Sequence, residues 1–234
     1  MSTPVKKQRI WEIDFFRGVA IVLMVIFHLI YDLKEFYHYP LNYEEGFFYY
    51  IGKAAASLFI FLCGVSSSLS HNNFHRGLKL LLLGFLITIV TAIFVPGSNI
   101  IFGILHFLGL SVLLYPFFYP LPPAVIVLIG FFCIGIGTYL PKVVTTHNFF
   151  APLGLTSARF YSADYYPLFP WLGLFLFGAA WGKMKYSQGK SLFRFQLKSD
   201  FFQILGRHSL LIYVLHQPLL LAVLYLLNKM KISL

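Results

Sequence analysis

Arg17 and His28 stand eleven residues apart inside the first long apolar run of the chain, DFFRGVAIVLMVIFHLIYDL. Ionisable side chains in such a run are expensive to hold away from water, and by default they mark function. On a helix, eleven residues come close to a whole number of turns. The two side chains therefore share a face, about 16 Å apart along the axis. One end of that face carries a fixed cation and the other a titratable base, with Ile21 and Met24 on the stripe between them. Asp32 lies four residues past His28, within reach of the imidazole. A carboxylate on one ring nitrogen fixes the tautomer and leaves the other nitrogen as a base. Asp14, three residues before Arg17, is placed to pair with it. The plain structural alternatives are a histidine bonded to a neighbouring helix and an arginine snorkelling to lipid headgroups.

Other histidines widen the choice. His38 falls in a short polar stretch beside Tyr37, Tyr39 and Pro40, where a solvated loop histidine and a catalytic one are both open readings. His106 sits within an apolar run, FGILHFLGL, and should face the protein interior, as a catalytic group or as a helix-to-helix hydrogen bond. His208 and His216 bracket the start of the last apolar run in LGRHSLLIYVLHQP. His71 and His75 have i, i+4 spacing but no carboxylate partner nearby, so no metal site is expected. No phosphate-binding P-loop, dinucleotide glycine pattern or serine nucleophile elbow occurs.

The elements that position these groups follow from composition. Of 234 residues, 59% are apolar, 19% aromatic and only 11% charged, against about half apolar and a quarter charged in a soluble domain. The chain reads as an all-α polytopic membrane helix bundle forming a single domain over 1–234. Seven spans are predicted, over Phe15–Tyr31, Phe47–Leu69, Leu78–Val95, Ile100–Phe118, Pro123–Leu140, Leu168–Met184 and Ile204–Leu227. VPGSN, YPLPP and LPK punctuate three of the boundaries. The first run lacks a small-residue cleavage site, so it is expected to remain as an anchor. Cys63 and Cys133 lie in apolar runs, which argues against a disulfide framework.

With the amino terminus inside, Lys6, Lys7, Arg9, Arg17, Arg76, Lys79, Lys183, Lys185, Lys190, Arg194, Lys198 and Arg207 fall on the cytoplasmic side. They are two thirds of all Lys and Arg, which sets that orientation in a cell membrane. The same bias accounts for the net charge of +10 without any nucleic-acid partner. The longest connection, Lys142–Pro167, lies outside and is rich in Tyr and Phe, as a site cover or as an interfacial aromatic belt. Small residues such as Gly173, Gly178 and Ala179 would allow close helix contact, and a homodimer is one state they would permit.

The opening RIWEIDFFRGVAIVLMVIFHLIYDL resembles that of the heparan-alpha-glucosaminide N-acetyltransferase catalytic domain family. LFIFLCGVSSSLS, YYPLFPWLGLFLFGAAWGK and LGRHSLLIYVLHQP look like later segments of that family, in order. The Arg17–His28 spacing also resembles the first-helix motif of the wider transmembrane acyltransferase group, including acyltransferase-3 proteins. The resemblance implies transfer of an acetyl group from cytoplasmic acetyl-CoA to a hydroxyl or amine of a glycan, glycolipid or envelope polymer across the membrane. It implies two candidates for the base. In acyltransferase-3 proteins the histidine matching His28 is implicated, whereas in the animal enzyme an asparagine matches His28 and the catalytic histidine lies near the position of His38. We favour His28, oriented by Asp32, with His38 and His106 as secondary candidates. Arg9, Arg17, Arg76, Lys79 and Arg207 would hold the phosphates of the co-substrate. Intramembrane His and Arg also occur in transporters and lipid flippases. That alternative predicts an inverted repeat, and none is evident.

Overall fold

The structure is a computed structural model and describes residues 9–95, 97, 99–195 and 200–232. Lys6, Lys7 and Lys198, and Pro96 and Ser98 of the VPGSN turn, lie outside the described residues, as does the side chain of Lys231. Among the described residues there is no strand. Within them eight α-helices follow one another: α1 (Trp11–Glu35), α2 (Gly46–Leu69), α3 (Asn73–Phe94), α4 (Ile104–Phe118), α5 (Pro123–Tyr139), α6 (Leu168–Lys185), α7 (Asp200–Arg207) and α8 (Ser209–Ile232). Five of the helical stretches are long and apolar enough to cross a membrane: α1, α2, α3, α5 with the short turn that follows it, and α8. α4 is apolar but shorter.

Two compact units emerge, one of residues up to Phe59 together with Ser191 onward, the other Ile60–Lys190. Within the first, α1 and α8 run in the same direction: Arg207 meets Asp14, His216 meets His28 and Gln217 meets Asp32. Within the second, α6 runs parallel to α2 and to α4. Gly178 packs on the Phe61 carbonyl and Gly182 on Val65, while Phe175 meets Tyr115 and Lys183 reaches the Tyr119 carbonyl. α3 is antiparallel to α4, and α5 to α6. Strict alternation in both units is what seven crossings require. Several helix pairs approach closely because one partner has no side chain. Gly173 fits against the Gly130 carbonyl and Gly178 against Phe61, and Ala179 is fully buried. Gly173, Gly178 and Ala179 thus make close helix contacts within this chain.

Two boundaries differ from the predicted ones for local reasons. The last apolar segment is not one span from Ile204. It is α7, a short amphipathic helix, then a break at His208, then α8. The polar LGRHS stretch is the corner, with Gly206 so close to α1 that a Cβ there would overlap the Asp14 carbonyl oxygen. α4 begins at Ile104 rather than Ile100, because the preceding residues pair with the connection between α5 and α6. The Asn99 and Phe102 carbonyls accept from Ala163 and Tyr166 N–H, and Asp164 Oδ2 accepts Ile104 N–H at 2.9 Å. His106 thus lies in the first turn of α4, not mid-span.

α1 carries Glu12 and Asp14 in its first turn and Lys34 in its last, as the helix dipole favours. It closes at His38, whose φ of +56° is left-handed, while His38 N–H bonds to the Lys34 carbonyl and Tyr39 N–H to the Leu33 carbonyl. The His38-to-Lys34 bond beneath a left-handed residue is the single-bond helix stop that usually takes glycine. At the other end, α7 lies directly on α1, since a Cβ at Gly18 would overlap the Phe202 carbonyl oxygen. Gly18→Ala is expected to destabilise the protein by about 1–3 kcal/mol, read as a lower Tm in detergent. An unchanged Tm would contradict this backbone-to-backbone contact.

Candidate active site

The chemistry-bearing side chains of the first unit gather at two ends of the α1–α8 pair. At the amino-terminal end of α1, Asp14 is buried and holds three guanidinium groups. Arg17 Nη1 lies 3.2 Å from Oδ1, Arg9 Nη1 3.7 Å from Oδ2 and Arg207 Nε 3.8 Å from Oδ2. Three cations against one carboxylate leave a formal surplus of +2 at this spot. The guanidiniums are partly open, with side-chain exposures of 69% for Arg9, 45% for Arg207 and 26% for Arg17, so an anion can approach them. Arg207 is steadied by Gln203, whose Oε1 accepts from Nη2 at 3.4 Å. Beside it, buried Glu12 accepts the Leu192 N–H at 2.7 Å, and Trp11 donates to Ser191 Oγ at 3.1 Å, which ties residues 191–193 to the start of α1.

At the other end, His28 and His216 face each other with ring centroids 4.6 Å apart and planes at 80°. His28 Nδ1 is 2.9 Å from the Met24 carbonyl and His216 Nδ1 is 2.6 Å from the Tyr213 carbonyl. A carbonyl has no proton to give, so each Nδ1 is the donor. In the neutral rings each Nε2 then carries the lone pair. Asp32 does not orient His28 as the i, i+4 spacing predicts. Its Oδ1 accepts from Gln217 Nε2 on α8 instead. The backbone of α1 already satisfies His28 Nδ1, and a carboxylate buried as deeply as Asp32 needs a donor, which the amide of Gln217 supplies. Between the two ends, Ile21 and Met24 project inward as the stripe predicts. They are packed with Ala55 and surrounded by Phe59, Leu205, Ile212 and Tyr213, so the stripe is a filled core.

The remaining candidates lie elsewhere. His38 is exposed at the α1 stop described above. In the second unit, His106 is buried between Phe85 and Phe102, against Gly84, with Nε2 3.5 Å from Thr88 Oγ1. Arg76 donates to the Ser66 carbonyl and to Asn73 Oδ1, which braces the α2–α3 corner, and Lys79 is exposed one turn further on. No cluster of three or more His, Cys, Asp or Glu suited to a metal ion occurs among the described residues. Gln217, the partner of Asp32, is the residue of this cluster that the sequence does not single out. An amide in an apolar run gives no periodic signal, and only its place between His216 and Pro218 sets it apart.

A family model described as heparan-alpha-glucosaminide N-acetyltransferase, catalytic, matches residues 9–218. The matched stretch starts at Arg9 and ends just past Gln217, so it contains every residue of both ends. No curated protein and no solved structure matches the chain.

Two outcomes follow from the electrostatics. Asp14→Ala leaves three guanidiniums around an empty space, and a loss on the order of 2 kcal/mol is expected after allowing for their exposure. The loss should shrink at high ionic strength; a Tm equal to wild type at low salt would contradict it. Asp164, outside the spans, has its carboxyl pushed up to about 6 by burial, against the lowering effect of the Ile104 N–H. Its folded form holds a proton that the unfolded form releases near 4. Its contribution to stability is therefore complete below pH 4 and lost as pH rises through 6. Asp164→Asn should remove that slope, so the variant gains on wild type between pH 4 and 6. Parallel Tm curves would refute it.

Proposed function

The chain belongs to the heparan-alpha-glucosaminide N-acetyltransferase catalytic family, and on that premise we propose that this transmembrane acetyltransferase takes its acetyl group from cytoplasmic acetyl-CoA. It passes the group to a hydroxyl or amine of a sugar, glycolipid or envelope polymer on the opposite side of the cell membrane. The observation that carries the reading is the pair of parallel helices with a cationic end and an imidazole end. Arg17 and His28 mark the two ends of α1, while Arg207 and His216 mark the same two ends of the α7–α8 segment.

The donor is anionic at its nucleotide end. The +2 surplus around Asp14 suits phosphates, which guanidiniums bind as paired hydrogen-bond acceptors. With the amino terminus cytoplasmic, as the Lys and Arg bias favours, this end faces the compartment that holds the donor. The thin pantetheine arm would reach the imidazoles only by displacing core side chains. Met24, unbranched and flexible, is the one most able to yield.

At the imidazole end, His28 Nε2 takes the proton of the acceptor O–H or N–H as the acceptor oxygen or nitrogen attacks the thioester carbonyl. The carbon–sulfur bond then breaks, and the sulfur leaves as CoA thiol with the proton passed to it. The products are the acetylated acceptor and free CoA, and His28 returns to its starting state. The Met24 carbonyl, rather than Asp32, sets the tautomer this requires. His38 is the second candidate base, and its backbone role makes the test clean: His38→Gly removes the imidazole and keeps the helix stop.

Acetyl-CoA should bind the purified protein saturably in a calorimetric titration, with at least a tenfold loss of affinity in Arg17→Ala. Labelled acetyl transfer to D-glucosamine or to an envelope extract should fall at least a hundredfold in His28→Ala and persist in His38→Gly. Transfer that survives in His28→Ala and disappears in His38→Gly assigns the base to the loop. Absence of any acetyl-CoA binding removes the reading.

A further inference from the structure

Around the two imidazoles, one turn of α1 and one turn of α8 hold three buried acceptor atoms to which none of the described residues donates. Asp32 is fully buried, and while Oδ1 accepts from Gln217, Oδ2 has no partner among the described residues. Gln217 gives its amide N–H to Asp32, and its Oε1 has none. His216 is 8% exposed, donates through Nδ1 to the Tyr213 carbonyl, and leaves Nε2 without a partner. Each such group is costly when left unpaired, and buried polar atoms are rarely left so. What sets these three apart is that they converge on two facing turns, whereas the other such atom described on this pair of helices, Glu12 Oε2, lies alone at the opposite end of α1.

All three atoms lack the same thing. A carboxylate oxygen, an amide oxygen and an unprotonated ring nitrogen are acceptors, so what completes them is a group with several N–H or O–H donors. An anion or a thioester carbonyl would add acceptors to acceptors. A metal ion would want ligands stronger than an amide oxygen, and no group of three His, Cys, Asp or Glu suited to one occurs among the described residues. The donor-poor atoms also lie one helical turn from His28, the proposed base.

We infer that Asp32, Gln217 and His216 form the subsite that holds the acyl acceptor by its hydroxyl and amino hydrogens, in place to present one of them to His28. This rests on the acetyltransferase reading for what happens next, but not for binding itself. Gln217 is a specificity residue in this scheme: its amide N–H pins Asp32 while its oxygen faces the acceptor. Asp32 keeps one oxygen for the acceptor and leaves the tautomer of His28 to the Met24 carbonyl.

The test uses the full chain in detergent and two probes, D-glucosamine and myo-inositol, one an amine with hydroxyls and the other hydroxyls alone. Each is titrated without any acyl donor. Wild type should bind at least one probe, and Gln217→Met and Asp32→Asn should each weaken that binding tenfold or more. Both should keep acetyl-CoA affinity within twofold, which also reports that they fold. In turnover, Gln217→Met should raise the acceptor KM far more than it lowers kcat. If wild type binds neither probe, or if both variants bind them as wild type does, the subsite assignment is wrong. Probe binding that depends on Gln217 in a protein with no affinity for acetyl-CoA would keep the subsite and remove the acetyltransferase reading. Acetyl-CoA binding with an acceptor KM indifferent to Gln217 would do the reverse.

Discussion

Asp14 is a carboxylate taken out of water inside a cluster of arginines, and the geometry of the first unit depends on it. Its side chain stands at the start of α1, and its partners come from both ends of the chain: Arg9 and Arg17 from the amino-terminal side, Arg207 from the end of α7. An isolated charge in this position would be costly. The three guanidiniums relieve it, and in doing so they fix where α7 ends and where α8 sets out. Gly206 and Gly18 allow the backbones to meet there, because any side chain at either position would strike a carbonyl.

Once that end is pinned, the rest of the pair is set in register. α8 leaves the corner parallel to α1, Ile212 and Tyr213 pack at the level of Ile21 and Met24, and the imidazole of His216 arrives at His28. A second polar contact, Gln217 to Asp32, closes the far end. Two polar clasps thus hold an apolar stretch between them. This is an economical way to keep charged and titratable groups at fixed depths in a medium that offers no water. In the second unit, small residues fix helix contacts in a comparable way, and the connection between α5 and α6 is tied to the start of α4 through Asp164 and the segment before Ile104.

The sequence carried a good deal of this. The Arg17–His28 stripe, the pairing of Arg17 with Asp14 and the all-helical membrane class all follow from helix periodicity and from the cost of ionisable groups in apolar runs. What it could not show was which residue from the far end of the chain would answer each group. Asp32 has the right offset from His28, yet offsets along one helix say nothing of a competing amide on another, and Gln217 takes the carboxylate. That His38 would also close α1 was not legible, because a left-handed helix stop is recognisable only when glycine occupies it. The corner at His208 was hidden for a related reason: Leu205 and Gly206 extend the apolar pattern across a break that tertiary contact with Asp14 imposes.

We propose that one pair of parallel helices carries both the phosphate anchor and the proton acceptor. A cryo-electron microscopy map of the full chain with CoA bound addresses it most directly. The expected result is phosphate density against Arg9, Arg17 and Arg207, with the thiol sulfur beside the His28 and His216 rings. Phosphate density against Arg76 and Lys79, with the thiol away from both imidazoles, would contradict it.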